Sequence, residues 1–214
     1  MYNNYYYFSA AFGGFWTATE GVVYVSIAIN SDVALECDMN LSSTNPPPEI
    51  VWHFGDGSEV TEIEMNNKRR FLENRRYLYI RNVEASDLAS TYRCKVTNAF
   101  LDVTMQAPTT YALIDNLNQG ELVEYKPIGI LTAFVGDENF EVSYVAGWHS
   151  TGSFNGTRNT MFLDQTEIVG IGAIKVIPSV GQPTGERDLC AEVRFDSNSA
   201  QKSGILRIRR KSTC

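Results

Sequence analysis

Four cysteines, at positions 37, 94, 190 and 214, are the residues of this chain with the widest choice of chemistry. A thiol can bridge, hold a metal or attack a carbonyl. Metal binding needs ligands at short, regular spacing. No C-x-x-C occurs, and the only histidines, His53 and His149, lie far apart in the sequence, so a zinc site has no pattern behind it. The same two scattered histidines support no Ser-His-Asp set. Gly170-Ile171-Gly172 lacks the third glycine and the following helix of a nucleotide loop. Asp137 and Glu138 stand in turn-like sequence and read as surface charge. No catalytic residue, metal ligand or cofactor is expected. What remains is disulfide chemistry, and two sequons at Asn40 and Asn155 add glycosylation. Together these favour an extracellular setting.

The elements that must position the cysteines come from a chain of 214 residues, 43% hydrophobic and 20% charged, with 16 Gly and 7 Pro. Short β-rich runs broken by turn residues recur throughout, which predicts an all-β fold. The net charge of −7 argues against nucleic acid as a partner. No apolar run reaches the roughly 18 residues that a membrane span needs. The aromatic start, MYNNYYYFSAAFGGFW, has no basic leader region and does not read as a signal peptide. If the protein is exported, the chain is a mature fragment.

Around the first pair of cysteines the alternation is clear. DVALEC puts Val33, Leu35 and Cys37 on one strand face, EIVWHF carries Trp52, and YLYIRNV puts Leu78 and Ile80 on one face. TYRCKVTN alternates again around Cys94. A bridge from Cys37 to Cys94 would close a loop with a separation of 57 residues and join two sheets with Trp52 against the sulfurs. In the chain-entropy model such a loop is worth roughly 4 kcal/mol. Tyr92 shares the parity of Cys94 and faces inward. Its hydroxyl then needs a partner, which the EASDLAS turn can supply.

Cys37, Trp52, the run Leu78-x-Ile80-x-x-Val83-x-x-x-Asp87, and Tyr92-x-Cys94 resemble an immunoglobulin-superfamily domain of the I-set or C2 kind. The resemblance implies a β-sandwich with the Cys37–Cys94 disulfide, a Trp52 core and a tyrosine corner at Tyr92. It departs at one place. The interval from Asp87 to Tyr92 is one residue longer than the family's, so the turn is expected to bulge, and a contact from Asp87 to a basic side chain is left open.

A fixed shift along the chain carries Trp52 onto Trp148, Cys94 onto Cys190, and Leu78 and Ile80 onto Ile174 and Val176. This predicts a second immunoglobulin-like sandwich. The expected division is 1–114 and 115–214, two tandem sandwiches, with Trp148 in the second core. The shift puts Ala133 at the position of Cys37 and Asp188 at that of Tyr92, so the second unit should lack the bridge and the corner. A hairpin centred near Ala200 leaves Cys190 either bridged to Cys214 or a buried thiol. Cys214 is then free or pairs with another molecule.

Three surfaces could serve binding. The aromatic start could cover a sandwich edge or form an adhesive patch. Lys68, Arg69, Arg70, Arg75 and Arg76 could meet a sulfated glycan or an acidic partner, or pair with nearby Glu62, Glu64 and Glu73. The run from Arg207 to Lys211 would lie near a membrane if a span followed. Resemblance implies the ectodomain of a single-pass cell-surface receptor, acting in adhesion or recognition through a protein ligand or a second copy of itself. Two other settings fit the same residues: the ligand-binding ectodomain of a receptor tyrosine kinase, and a secreted or matrix structural protein.

Overall fold

The computed structural model describes residues 21–37, 48–63, 68–98, 103–106, 109–118, 121–148, 158–195 and 198–211. The fold is all-β, as expected, and the two largest apolar cores belong to two sandwiches.

The first sandwich contains β1 (Gly21–Ile27), β2 (Val33–Glu36), β3 (Glu49–Phe54), β4 (Arg69–Leu72), β5 (Tyr77–Ile80), the single helical turn α1 (Ala85–Leu88), β6 (Thr91–Asn98), β7 (Val103–Gln106) and β8 (Thr109–Asp115). Its front sheet runs β1-β8-β6-β3, with β7 also paired to β6, and its back sheet runs β2-β5-β4. β1 is parallel to β8 and forms the edge. The C-terminal part of this sandwich is carried by two strands, β7 and β8. β7 pairs with Lys95–Asn98 of β6, and β8 pairs with Thr91 and Tyr92 of the same strand. Inward residues of both sheets, among them Val33, Leu35, Trp52, Leu78, Ile80 and Val96, form one buried core.

The second sandwich contains β9 (Leu122–Lys126), β10 (Ile130–Phe134), β11 (Glu138–Ser143), β12 (Val145–Trp148), β13 (Arg158–Leu163), β14 (Thr166–Glu167), β15 (Gly170–Ile171), β16 (Ile174–Ser179), β17 (Gly185–Phe195) and β18 (Asn198–Arg209). One sheet runs β10-β18-β17-β13-β14; the facing strands are β11-β16-β15 and the pair β12-β9. Val142, Tyr144, Met161, Leu189, Ala191, Val193 and Leu206 are buried between them.

This topology corrects the internal repeat. Trp52 lies directly across from Cys94, on β3 and β6. Trp148 lies on β12, which pairs with β9, whereas Cys190 on β17 lies between Phe162 of β13 and Ser203 of β18. The two tryptophans therefore occupy different strands of their sandwiches. Ala133 is fully buried, but on β10, beside Ile208 in the same sheet as Cys190, not in the facing sheet that Cys37 occupies in the first unit. Cys190 is a free, half-buried thiol, with Leu189 and Ala191 taking the inward positions on either side. Strand parity places it outward, so it is not the buried thiol that the shift implied. The hairpin is not centred near Ala200: β17 and β18 pair as far as Phe195 and Asn198, with Ala200 inside the ladder opposite Val193. Cys214, Asn40 and Asn155 lie outside the described residues.

A third buried cluster belongs to neither sandwich alone. Ala34, Leu72, Tyr77 and Tyr79 from the first meet Val145, Ala173 and Ile174 from the second, with Tyr125 packed alongside. β5 explains it. Leu78 and Ile80 point into the first core, while Tyr77 and Tyr79 point the other way, and all four are buried.

Candidate functional site

The disulfide end of the first core is built from three strands. Cys37 and Cys94 are bridged with their Cα atoms 5.9 Å apart, and the strand pairing sets Trp52 beside the bridge. The indole N–H donates to the Arg75 carbonyl at 2.9 Å, which satisfies the only polar atom of a fully buried side chain. Tyr92 donates to the Asp87 carbonyl at 3.3 Å. Burial, and then the Asp87 charge, push its phenol up to about 12, so it stays a neutral donor. The helical turn α1 carries Asp87 and ends at Leu88, inside the interval expected to bulge. Asp87 also has a basic partner: Lys68 reaches its carboxylate at 2.8 Å, and the Glu84 N–H adds a bond of 2.9 Å. The longer interval thus leaves the acid–base contact intact. All of this serves stability.

The arginines of the basic stretch are engaged within the chain. Arg70 meets Glu62 at 3.2 Å and Glu141 of the second sandwich at 3.1 Å. Arg76 meets Glu36 at 2.6 Å, and Arg75 bonds the Ile50 carbonyl and lies 4.5 Å over the Phe71 ring. Arg69 stacks 5.4 Å over Phe54. A sulfated glycan or acidic partner would have to compete with these contacts. At the other end of the chain, Arg207 pairs with Glu186 and Lys211 with Asp137. No group of three or more His, Cys, Asp or Glu among the described residues could hold a metal ion.

The most elaborate polar arrangement lies at the junction between the sandwiches. Asp32, at the entrance to β2, is buried. Its carboxylate accepts from the Asn82 N–H at 2.9 Å, the Tyr79 hydroxyl at 2.8 Å and the Asn159 amide of the second sandwich at 3.2 Å. The Tyr79 oxygen in turn accepts from the Ala173 N–H at 3.3 Å. Desolvation raises the Asp32 pKa above the ordinary carboxylate value, against the hydrogen bonds and the Arg81 and Lys68 charges. The hydroxyl of Tyr79 is held well above its ordinary value, chiefly by burial and then by the Asp32 charge. Nearby, Lys126 is buried, pairs with Glu73 of the first sandwich at 2.7 Å and lies 5.4 Å over the Tyr77 ring. Tyr125 donates to the Ser26 carbonyl at 2.6 Å. Gly172 makes close approach feasible: at φ 61° a Cβ there would stand 2.6 Å from the Tyr79 hydroxyl. Sequence reasoning missed this junction. The signal was the unbroken apolar run YLYI, which suits a strand covered on both faces.

The back sheet of the first sandwich is occupied; the front sheet has described residues that are exposed. Its edge strand exposes Val22, Val23 and Tyr24, the last at 65%. The second sandwich exposes Ile130 on β10, Val169 between β14 and β15, and Ile171 on β15.

These features define a class. Residues 19–98 match the family model described as an immunoglobulin domain. Residues 19–98 thus carry an immunoglobulin domain, and the chain folds as a tandem of immunoglobulin-like sandwiches. Over 54 residues, 25% of the chain, it is 39% identical to human immunoglobulin superfamily member 10, of which it covers 2%. A Dscam structure solved to explain isoform specificity superposes with a TM-score of 0.64 at 15% identity, covering 91% of this chain and 52% of that one. The insect immune protein hemolin gives 0.57 at 17% identity over 89% of this chain and 52% of its own. Sidekick-1 immunoglobulin domains 1–5 give 0.57 at 12% identity, over 89% and 40%. The chain thus spans about half the length of the Dscam structure. No helix among the described residues is long and apolar enough to cross a membrane.

Proposed function

We propose that this chain is an extracellular recognition unit of a single-pass cell-surface protein, and that it acts in adhesion by protein–protein contact, with a second copy of itself as the favoured partner. The observation that carries the reading is the uneven use of the first sandwich. Its back sheet is buried against the second sandwich, while the edge of its front sheet presents Val22, Val23 and Tyr24 to solvent. Apolar and aromatic side chains exposed together suit an interface core. The Dscam and hemolin structures, one described by isoform specificity and the other by homophilic adhesion, support recognition as the task. We take 1–114 and 115–214 as the two units, and Asn40 and Asn155 as glycan acceptors facing the extracellular side.

Sedimentation velocity over a concentration series tests the partner, using glycosylated protein with Cys190 and Cys214 blocked. Reversible dimerisation at micromolar concentration that Tyr24→Asp abolishes is the expected result. A monomer at every concentration would refute the homophilic reading and direct the search to a different protein ligand.

A further inference from the structure

We propose that two copies of this chain join by strand addition: β1 of one pairs antiparallel with β1 of the other about a twofold axis at Val23, so that two front sheets become one. The inference rests on the homophilic reading above and names the backbone groups that carry it. Among the described residues β1 pairs with β8 alone and ends its sheet. An edge strand is ordinarily guarded by a charge, a proline or a bulge. Gly21–Ile27 reads GVVYVSI, without charge or proline, and its ladder with β8 runs without a register shift. In a chain of net charge −7, an uncharged strand is where a second copy can approach without like-charge repulsion.

Two hydrogen bonds fix which backbone groups face the open edge. The Ile27 carbonyl accepts at 3.2 Å from the N–H of Leu117, which follows β8, so Ile27 turns its polar groups towards β8. Successive residues of a strand point their N–H and C=O to opposite sides. Val23 and Val25 therefore also serve the β8 ladder, while Val22, Tyr24 and Ser26 face outwards. The Ser26 carbonyl agrees with this parity, since it accepts from Tyr125 of the second sandwich at 2.6 Å. That contact also closes one end of the edge. The open stretch is 21–25, and the exposed apolar side chains Val22, Val23 and Tyr24 are centred on its middle residue. An antiparallel copy centred there sets Val22 opposite Tyr24 of the second copy, and Tyr24 opposite its Val22. Both residues offer outward N–H and C=O groups, so each pair is a hydrogen-bonded one, and each sets an aromatic ring beside a β-branched side chain. Val23 meets its own copy in the non-hydrogen-bonded position, where Cα atoms approach to about 4.5 Å. A centre at Tyr24 would need the outward groups of Ser26, which Tyr125 already holds.

Sedimentation velocity and thiol oxidation test the pose on the full chain, with Cys190→Ser and Cys214→Ser as background. Val22→Pro removes an N–H from the open side and spares the β8 ladder. Val22→Ala trims the same side chain and keeps that N–H. Val22→Pro is expected to weaken dimerisation at least about tenfold more than Val22→Ala, since the twofold axis removes the hydrogen bond twice. Its thermal unfolding as a monomer should match that of Val22→Ala. On mild oxidation Val23→Cys is expected to give a disulfide-linked dimer, because its Cα atoms come within bridging distance. Val22→Cys, whose copies lie diagonal to one another, should not link. If both Val22 variants weaken association alike, or Val22→Cys links as readily as Val23→Cys, strand addition is overturned and a side-chain contact between copies still stands. A lower unfolding temperature for Val22→Pro than for Val22→Ala overturns the parity, and the pose with it. A background chain that stays monomeric at every concentration overturns the homophilic reading as well.

Discussion

Tyr92 shows what a single polar atom does in the first core. Its ring packs 5.6 Å from Phe54 and its hydroxyl reaches back to the Asp87 carbonyl. Tyr92→Phe removes one buried donor and is expected to cost about 1 kcal/mol. Lys68→Met leaves the buried Asp87 carboxylate without its cation and is expected to cost more, about 3 kcal/mol. Urea unfolding of both variants at neutral pH ranks them. Alkali gives a second measure. The folded phenol is held at about 12, above the ordinary 10.0, so the folded state binds its proton more strongly. Stability is then lost as pH rises from about 10 towards 12, and Tyr92→Phe should flatten that decline. Cys37, Trp52, Tyr92 and Cys94 were legible because parity and residue type are local signals. The Lys68–Asp87 pair was not, since no local pattern says which cation a distant turn will meet.

At the scale of the element, β5 is the strand on which both the first core and the junction depend. Its four residues divide between two environments. Leu78→Ala is expected to cost about 2–5 kcal/mol by opening a cavity in the first core. Tyr79→Ala should act differently: it removes the acceptor for Ala173 and a donor to Asp32, and loosens the seam while leaving the first core closed. Tryptophan fluorescence and hydrogen exchange at Ala173 distinguish these outcomes, and equal effects of both variants on the seam would contradict the division. The strand itself was legible from its alternation. Its second burial lies outside that signal, because alternation marks only the face that Leu78 and Ile80 share. The β17–β18 hairpin failed for another reason. The polar segment Ser199–Ser203 has loop composition, yet it pairs residue for residue with β17. Cross-strand pairing overrode local propensity, and the displaced turn carried the predicted surroundings of Cys190 with it.

For the molecule as a whole, the seam decides whether two sandwiches behave as one body. Domains in tandem move independently by default unless their interface is large and apolar. Among the described residues, seven buried side chains, two crossing ion pairs and the Asp32 cluster occupy the seam. The intact chain is expected to unfold in one calorimetric transition. Residues 1–114 and 115–214, produced separately, should each unfold at a lower temperature and associate through the uncovered faces. Two independent transitions in the intact chain, matching those of the halves, would contradict a mechanically coupled pair. The tandem plan was readable from the repeating strand pattern, although the residue correspondence drawn between the halves was wrong. A constant shift assumes equal loops, and the second sandwich enters its sheets through β9 and β10 before the strands that face Cys190.

The two-faced strand β5 also bears on inheritance. Immunoglobulin-like units are readily pictured as beads that a genome can cut out, duplicate and restring. A bead whose outer face carries Tyr77 and Tyr79 is not free in that sense, because exchange with a stranger would leave two aromatic rings and a buried carboxylate facing water or a mismatched neighbour. The transferable cassette is the pair, and substitutions on either side of the seam are expected to be inherited together.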